Sequence, residues 1–196
     1  MASALVVTLM RCLALDPWTL WPLQGIAVGV VAGAVGWCLD EPSAALVDSL
    51  PRGLGWRTLS RVSGPVLVLS AWTLAVWWVR EDLWGHSLEV WVQGVVGGLV
   101  GVAWVTWRRS AGEACPGRRW ALAVVPLSLV WAIVRPLGSR VPVFPYAAGD
   151  EVWQRNLTGW LVVGLVSVAW IAVVLVRDGQ PLVVRGVRRR MRPRSM

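Results

Sequence analysis

The sequence has no lysine and few histidines and cysteines, which are residue types that many enzymes use in their active sites. Its 196 residues include no lysine, one histidine and three cysteines. Without lysine there is no Walker-type phosphate loop, and the single His86 excludes bis-histidine haem ligation and an H-E-x-x-H metalloprotease site within this chain. Cys12, Cys38 and Cys115 form no C-x-x-C pair, so no zinc or redox motif is present. The sequence therefore predicts no enzyme, no metal site and no cofactor in this chain.

Charge is also scarce. Charged residues make up 15% of the chain and hydrophobic residues 56%, whereas a soluble domain typically has about 25% charged residues. This composition excludes a compact soluble domain and intrinsic disorder. It predicts an all-α, polytopic membrane bundle that forms a single domain over residues 1–196.

Apolar runs define the expected spans, because a bilayer core of about 30 Å needs about 20 helical residues. Residues 1–15 are too short to span, and we expect an interfacial or partial helix there. Glu89 is the one acidic residue within a span, close to its end, and we expect it at the membrane interface. Pro126 predicts a kink or a break. The five expected spans are Leu20–Leu39, Val62–Val79, Leu88–Trp107, Trp120–Val134 and Leu157–Val176.

All 19 basic residues are arginines, and their distribution predicts the orientation. Alternate compartments hold 14 and 5 arginines, so the positive-inside rule places loop 40–61, the loop after the third span and tail 177–196 in the cytoplasm. Loop 135–156 is then extracytoplasmic. The tail would attract anionic lipid, at about 1 kcal/mol per arginine. It has no aromatic residues for base stacking, so nucleic-acid binding is not expected.

Small residues four apart mark two of the spans and predict close helix packing. Such tracks serve either packing within one chain or a dimer seam, and both readings are open. Gln24 and Gln93 lie beside the tracks, where each would make an interhelical hydrogen bond or line a pathway. The glycines are Gly25, Gly29 and Gly33 in the first span and Gly94, Gly98 and Gly101 in the third.

The loop at residues 40–61 has the most distinctive sequence pattern in the chain. Pro42 suits the first position of a helix, and Pro51 would end it. Such a short amphipathic helix fits either a groove on a soluble partner or the bilayer surface. The candidate docking residues are Pro42, Leu46, Val47, Asp48, Leu50 and Arg52.

With these residues the sequence resembles the membrane subunits of actinobacterial ABC transporters, of the exporter type with six spans per half. Such proteins often have an acidic residue, Pro-Ala, an aliphatic pair, Asp and Pro-Arg in the first cytoplasmic loop, and Arg-Asp after the last span. The matching residues here are Asp40, Pro42, Ala44, Leu46, Asp48, Pro51, Arg52, Arg177 and Asp178.

The resemblance implies a permease subunit in a bacterial cytoplasmic membrane, with its C-terminus in the cytoplasm. In that family the first cytoplasmic loop presses on a separate ATPase, which implies this role for residues 42–50. It also implies a homodimer or a second permease subunit. Relative to the family's six spans, the first would be reduced to residues 1–15. The alternative is a structural or assembly subunit of a larger membrane complex.

Overall fold

The fold is all-helical, as the sequence predicts. A computed structural model describes residues 1–13, 17–40, 54–134, 143–145 and 149–178, and no strand occurs among them. Predicted residues outside these ranges include the docking loop from Glu41 to Gly53 and the tail after Asp178. The helices are α1 (Ala2–Leu13), α2 (Pro17–Cys38), α3 (Leu54–Leu59), α4 (Ser63–Trp78), α5 (Ser87–Ser110), α6 (Pro116–Val134) and α7 (Asp150–Asp178).

Three of the described helices, α5, α6 and α7, are long and apolar enough to cross a membrane. The apolar parts of α2 and α4 are shorter, at Pro22–Cys38 and Ser63–Trp78. A helix the length of α4, with 16 residues, extends about 24 Å, which is less than a hydrocarbon core of about 30 Å. The protein is therefore a membrane-embedded bundle in which the predicted third, fourth and fifth spans have full length.

Two helices form the centre of the bundle. Helix α2 contacts α1, α4, α5 and α6, and α5 contacts α2, α3, α4, α6 and α7. Residues 27–33 of α2, almost two full turns, are all buried. These positions cover every side of a helix, so this part of α2 is surrounded by protein. A helix enclosed in this way is expected to be apolar on all sides rather than amphipathic.

The longer helices alternate in direction, which gives the bundle two distinct ends. At one end, Asp40 after α2 contacts the start of α6 at Gly117. We call this the arginine end, because Arg108, Arg109, Arg118 and Arg119 lie there at the end of α5 and the start of α6. At the opposite end His86, before α5, stacks on Trp153 near the start of α7, and we call it the histidine end.

Helix α1 packs into the bundle. Its Val6 and Met10, one turn apart, have no exposed surface, and α1 contacts α2 and α4. The Arg11 guanidinium lies 4.1 Å from the ring of Trp78 at the end of α4, so α1 and α4 run in the same direction.

Two helix features set the geometry near the cavity described below. Pro126 lies within α6 without ending it. Helix α5 ends in a Schellman motif, in which the N–H of Gly112 donates to Arg109 O and the N–H of Glu113 to Arg108 O. Gly112 has a φ of +90°, a left-handed conformation that glycine adopts without a Cβ clash. The motif turns the chain directly into α6.

Candidate functional site

A cavity of about 550 Å³ lies between α2, α5, α6 and α7. It extends along α6 from Trp120 to Trp131, which corresponds to about 16 Å of helix. Its walls are almost entirely apolar. The residues that line it include Val28, Ala32, Val100, Val124, Leu127, Phe144, Gly159, Trp160 and Val163.

The cavity opens on the side where α6 and α7 face each other. Within the described ranges, both helices contact α5 but not one another. The lining residues Leu127 and Val163 are exposed, and a Cβ added at Gly159 would meet no atom within 4 Å. The open side of the cavity is therefore apolar and accessible.

Polar groups gather at the cavity's histidine end. Asn156 Nδ2 donates to Val143 O at 3.0 Å, and Trp160 Nε1 donates to the same oxygen at 3.1 Å. Arg155 lines the cavity beside them and is exposed. The result is an apolar chamber with a polar end that contains one cationic side chain.

A chain of buried amides connects this polar end with α2 and α5. Gln24 Nε2 donates to Gln93 Oε1 at 2.7 Å, and Gln93 Nε2 donates to Asn156 Oδ1 at 2.8 Å. All three side chains are buried. Satisfied buried amide networks fix one arrangement of the helices that they join, so these bonds hold α2, α5 and α7 in register above the cavity. Of the two readings for Gln24 and Gln93, the structure has the interhelical hydrogen bond.

Asp40 and Glu113 organise the arginine end. Asp40 Oδ1 and Oδ2 accept hydrogen bonds from the N–H groups of Gly117 and Arg118, at 2.7 and 2.6 Å. Glu113 bridges two arginines, with Arg108 Nε at 2.5 Å and an Arg119 terminal nitrogen at 2.7 Å. The carboxylates thus fix the start of α6, while Arg118 and Arg119 stay exposed.

The glycine track of α2 lies against α6 and the 143–145 segment. A Cβ added at Gly25 would lie 2.8 Å from Phe144 Cδ2, and one at Gly33 would lie 3.0 Å from Val125 Cγ2. At Gly29 the added Cβ would overlap Ser128 Oγ. The track is therefore used for packing within the chain.

The glycine track of α5 faces α4 and α2. A Cβ at Gly94 would lie 2.2 Å from Trp72 Cε2, and one at Gly98 would lie 3.2 Å from Leu69 Cδ2. At Gly101 it would approach Ala32 O within 2.7 Å. These glycines too are enclosed by the chain itself.

The predicted docking residues from Pro42 to Arg52 lie outside the described residues. Sequence reasoning did not find the cavity residues Arg155, Asn156 and Gly159. One signal was present: Asn156 is the single asparagine of the chain and directly precedes an apolar run. In the part of the chain that the structure describes, no group of three His, Cys, Asp or Glu side chains could hold a metal ion.

Comparison with known proteins gives no relative for this chain. No protein-family model, curated protein or solved structure matches it.

Proposed function

We propose that this chain is a membrane-spanning subunit of an ATP-driven transporter and that its cavity takes up an anionic amphiphile from the bilayer. The cavity between α6 and α7 supports this proposal most directly. Its apolar walls match an acyl or other hydrocarbon chain, and its opening faces lipid. Arg155 at the polar end matches an anionic headgroup, with which a guanidinium forms strong charge-assisted hydrogen bonds.

Ligand binding is tested with the purified protein in detergent or nanodiscs. A brominated single-chain amphiphile with an anionic head should quench tryptophan fluorescence, because Trp120, Trp131 and Trp160 line the cavity. Gly159→Leu would place a side chain in the empty space beside Gly159 and should weaken binding by about tenfold, which corresponds to about 1.4 kcal/mol. Ala172→Leu, at an exposed α7 position outside the cavity, is the volume control and should bind normally.

The charge preference for the headgroup is tested with two arginine-to-glutamine variants. Arg155→Gln should weaken binding of the anionic amphiphile and leave binding of a neutral-headed analogue unchanged. Arg177→Gln removes an arginine from the far end of the same helix and should have no effect. Equal binding by wild type, Gly159→Leu and Arg155→Gln would contradict the assignment of the cavity.

The second part of the proposal is an ATP-hydrolysing partner at the arginine end, which we place in the cytoplasm of a bacterium. It rests on the resemblance of residues 40–52 to the coupling loop of exporter-type permeases. Asp40, the first residue of that loop, caps α6, so movement of a docked helix would reach a wall of the cavity directly. A homodimer or a second permease subunit would complete the transporter.

Leu46→Asp and Leu50→Asp should abolish co-purification of an ATPase from the native membrane while the protein still inserts. Leu88→Asp is the control, since Leu88 is an exposed leucine at the histidine end. Retention of the ATPase by both loop variants, or its loss in Leu88→Asp as well, would contradict docking at this loop.

A structural or assembly subunit is the second candidate function, and helix α7 favours it. Among the described helices α7 contacts only α3 and α5, and it exposes aliphatic side chains such as Leu165 and Val166 along its length. Under this candidate, Leu165→Trp should release the protein from a larger complex without loss of folding, and no ATPase should co-purify.

A further inference from the structure

Glu89 is a buried acidic side chain in the first turn of α5. The residue is 7% exposed, although its place near the end of a predicted span suggested an interfacial position. Its Oε2 is fully buried and has no hydrogen-bond partner among the described residues. An isolated buried carboxylate costs several kcal/mol unless it is paired or takes up a proton, and in a membrane such a residue marks a functional site by default.

His86 lies between Glu89 and a second carboxylate. Its Nδ1 is 3.8 Å from Glu89 Oε1, and its Nε2 is 3.8 Å from Asp150 Oδ1. The imidazole stacks on the Trp153 ring at 4.3 Å with an angle of 7° between the planes, and Trp153 is fully buried. The stack holds the ring in the orientation that directs one nitrogen to each carboxylate.

The three side chains form a gradient of exposure from water to the interior. The side chain of Asp150 is 95% exposed, that of His86 17% and that of Glu89 8%. The cavity described above is lined by neither Glu89 nor His86. Because Glu89 and its Oε2 atom are buried, a proton fits this site better than a larger ligand does.

We propose that Glu89 is a reversible proton-loading site, and that Asp150 and His86 conduct the proton to it from the aqueous phase at the histidine end. This inference is independent of what the cavity binds. It also assigns a role to the chain's single histidine, which the proposed transport function leaves without one.

The proton transfers along this path need no co-reactant. Asp150 takes a proton from water and passes it to His86 Nε2, which gives an imidazolium. His86 then releases the proton on Nδ1 to Glu89 Oε1, which leaves a neutral imidazole and a neutral carboxylic acid. Release runs through the same steps in reverse. Each transfer needs the 3.8 Å separations to close to hydrogen-bond distance, about 2.8 Å, through rotation of a carboxylate.

Among the described residues, His86 is the one basic side chain with a nitrogen within 4.0 Å of the Glu89 carboxylate. The other charged groups on elements packed against this end are Arg11, Arg80, Glu81, Asp82, Glu151 and Arg155.

Infrared difference spectroscopy of the full chain in nanodiscs tests the proposal. Wild type minus Glu89→Gln should show the carbonyl stretch of a protonated acid, which disappears at alkaline pH. After transfer into D2O, the acid proton should exchange at least about tenfold more slowly in His86→Phe, which keeps an aromatic ring but has no nitrogens, and in Asp150→Asn. Glu151→Gln, which removes the neighbouring exposed carboxylate, should exchange like wild type.

Glu89→Asp is a second variant in case Glu89→Gln misfolds. It keeps a carboxylic acid, so the infrared band of the protonated acid should shift in frequency rather than disappear. Absence of a Glu89-dependent acid band at every pH at which the protein is folded would overturn the loading site. Unchanged exchange in both His86→Phe and Asp150→Asn would overturn the relay. Neither result depends on ATPase co-purification or amphiphile binding, so failure here is distinct from failure of the transport proposal.

Discussion

At the scale of single residues, the packing of Gly94 against Trp72 gives the first prediction. Trp72 is fully buried and its Nε1 donates to Trp91 O at 3.0 Å, so the ring has little freedom to move. Because an added Cβ would lie 2.2 Å from Trp72 Cε2, Gly94→Ala should lower the free energy of unfolding by about 1–3 kcal/mol. Denaturant unfolding of the protein in mixed micelles measures this.

Gly159→Ala is the matched control, because it makes the same change at a helical glycine with open space around it. It should raise stability by about 0.5–1 kcal/mol, since alanine loses less backbone entropy in a helix. Equal effects of the two variants would mean that Gly94 and Trp72 are not in close contact.

The buried amides give a second prediction at this scale. Gln93→Leu would remove the hydrogen bonds to both Gln24 Nε2 and Asn156 Oδ1 and should cost about 1–3 kcal/mol. Gln24→Leu breaks one of these bonds and should cost less. In the double variant Gln24 is no longer an unpaired donor, so its cost should stay below the sum of the single costs.

Denaturant titrations of the four proteins give the coupling energy, with Gln154→Leu as a control at an exposed α7 position. Strict additivity of the two single effects would show that the amides do not interact.

At the scale of helices, α6 depends on a cap from a distant part of the chain. Asp40 accepts from the N–H groups of both Gly117 and Arg118, as a carboxylate at a helix N-terminus does. Asp40→Ala should therefore destabilise the protein by about 1–2 kcal/mol and speed hydrogen exchange at the start of α6. Asp40→Asn, which keeps one acceptor oxygen, should have a smaller effect.

Glu81→Ala provides the comparison. The Glu81 side chain is 87% exposed and pairs with Arg80 at 3.7 Å, and such surface pairs contribute little. A loss of stability in Glu81→Ala as large as that in Asp40→Ala would argue against a specific cap.

The helices themselves could be predicted because apolar length and arginine spacing are local properties of a sequence. The start of α7 was misplaced: the helix begins at Asp150, about two turns before Leu157, because Asp150 and Glu151 suit a helix N-terminus although they are too polar for a span. The burial of Glu89 was also not predicted. Hydropathy indicates which segments lie in the membrane, but it does not show which side of a helix packs against other helices.

The cavity could not be predicted for a related reason. It arises because α6 and α7 both pack on α5 without touching each other, and that arrangement depends on long-range contacts. The Gln24–Gln93–Asn156 chain joins residues 69 and 63 positions apart. From the sequence, each of these amides is only a polar residue near a span end.

At the scale of the whole molecule, the alternating helices and the arginine distribution make one joint prediction about orientation. The structure puts the Arg61 and Arg108–Arg119 regions at the same end of the bundle, where Arg61 and the start of α6 both contact Asp40. The sequence assigns 14 arginines to the compartment on this side and 5 to the other. The positive-inside rule then predicts that the arginine end is cytoplasmic.

Cys115 is exposed at the arginine end and reports on this orientation directly. With Cys12 and Cys38 replaced by serine, a membrane-impermeant maleimide should label Cys115 in inside-out vesicles and leave it unlabelled in right-side-out vesicles. Glu81→Cys in a background without other cysteines lies at the histidine end and should show the opposite pattern. If Cys115 were labelled from outside, an ATPase could not reach the arginine end from the cytoplasm. Asp150 would then draw its proton from the cytoplasm, so one labelling experiment fixes the side on which both proposed sites operate.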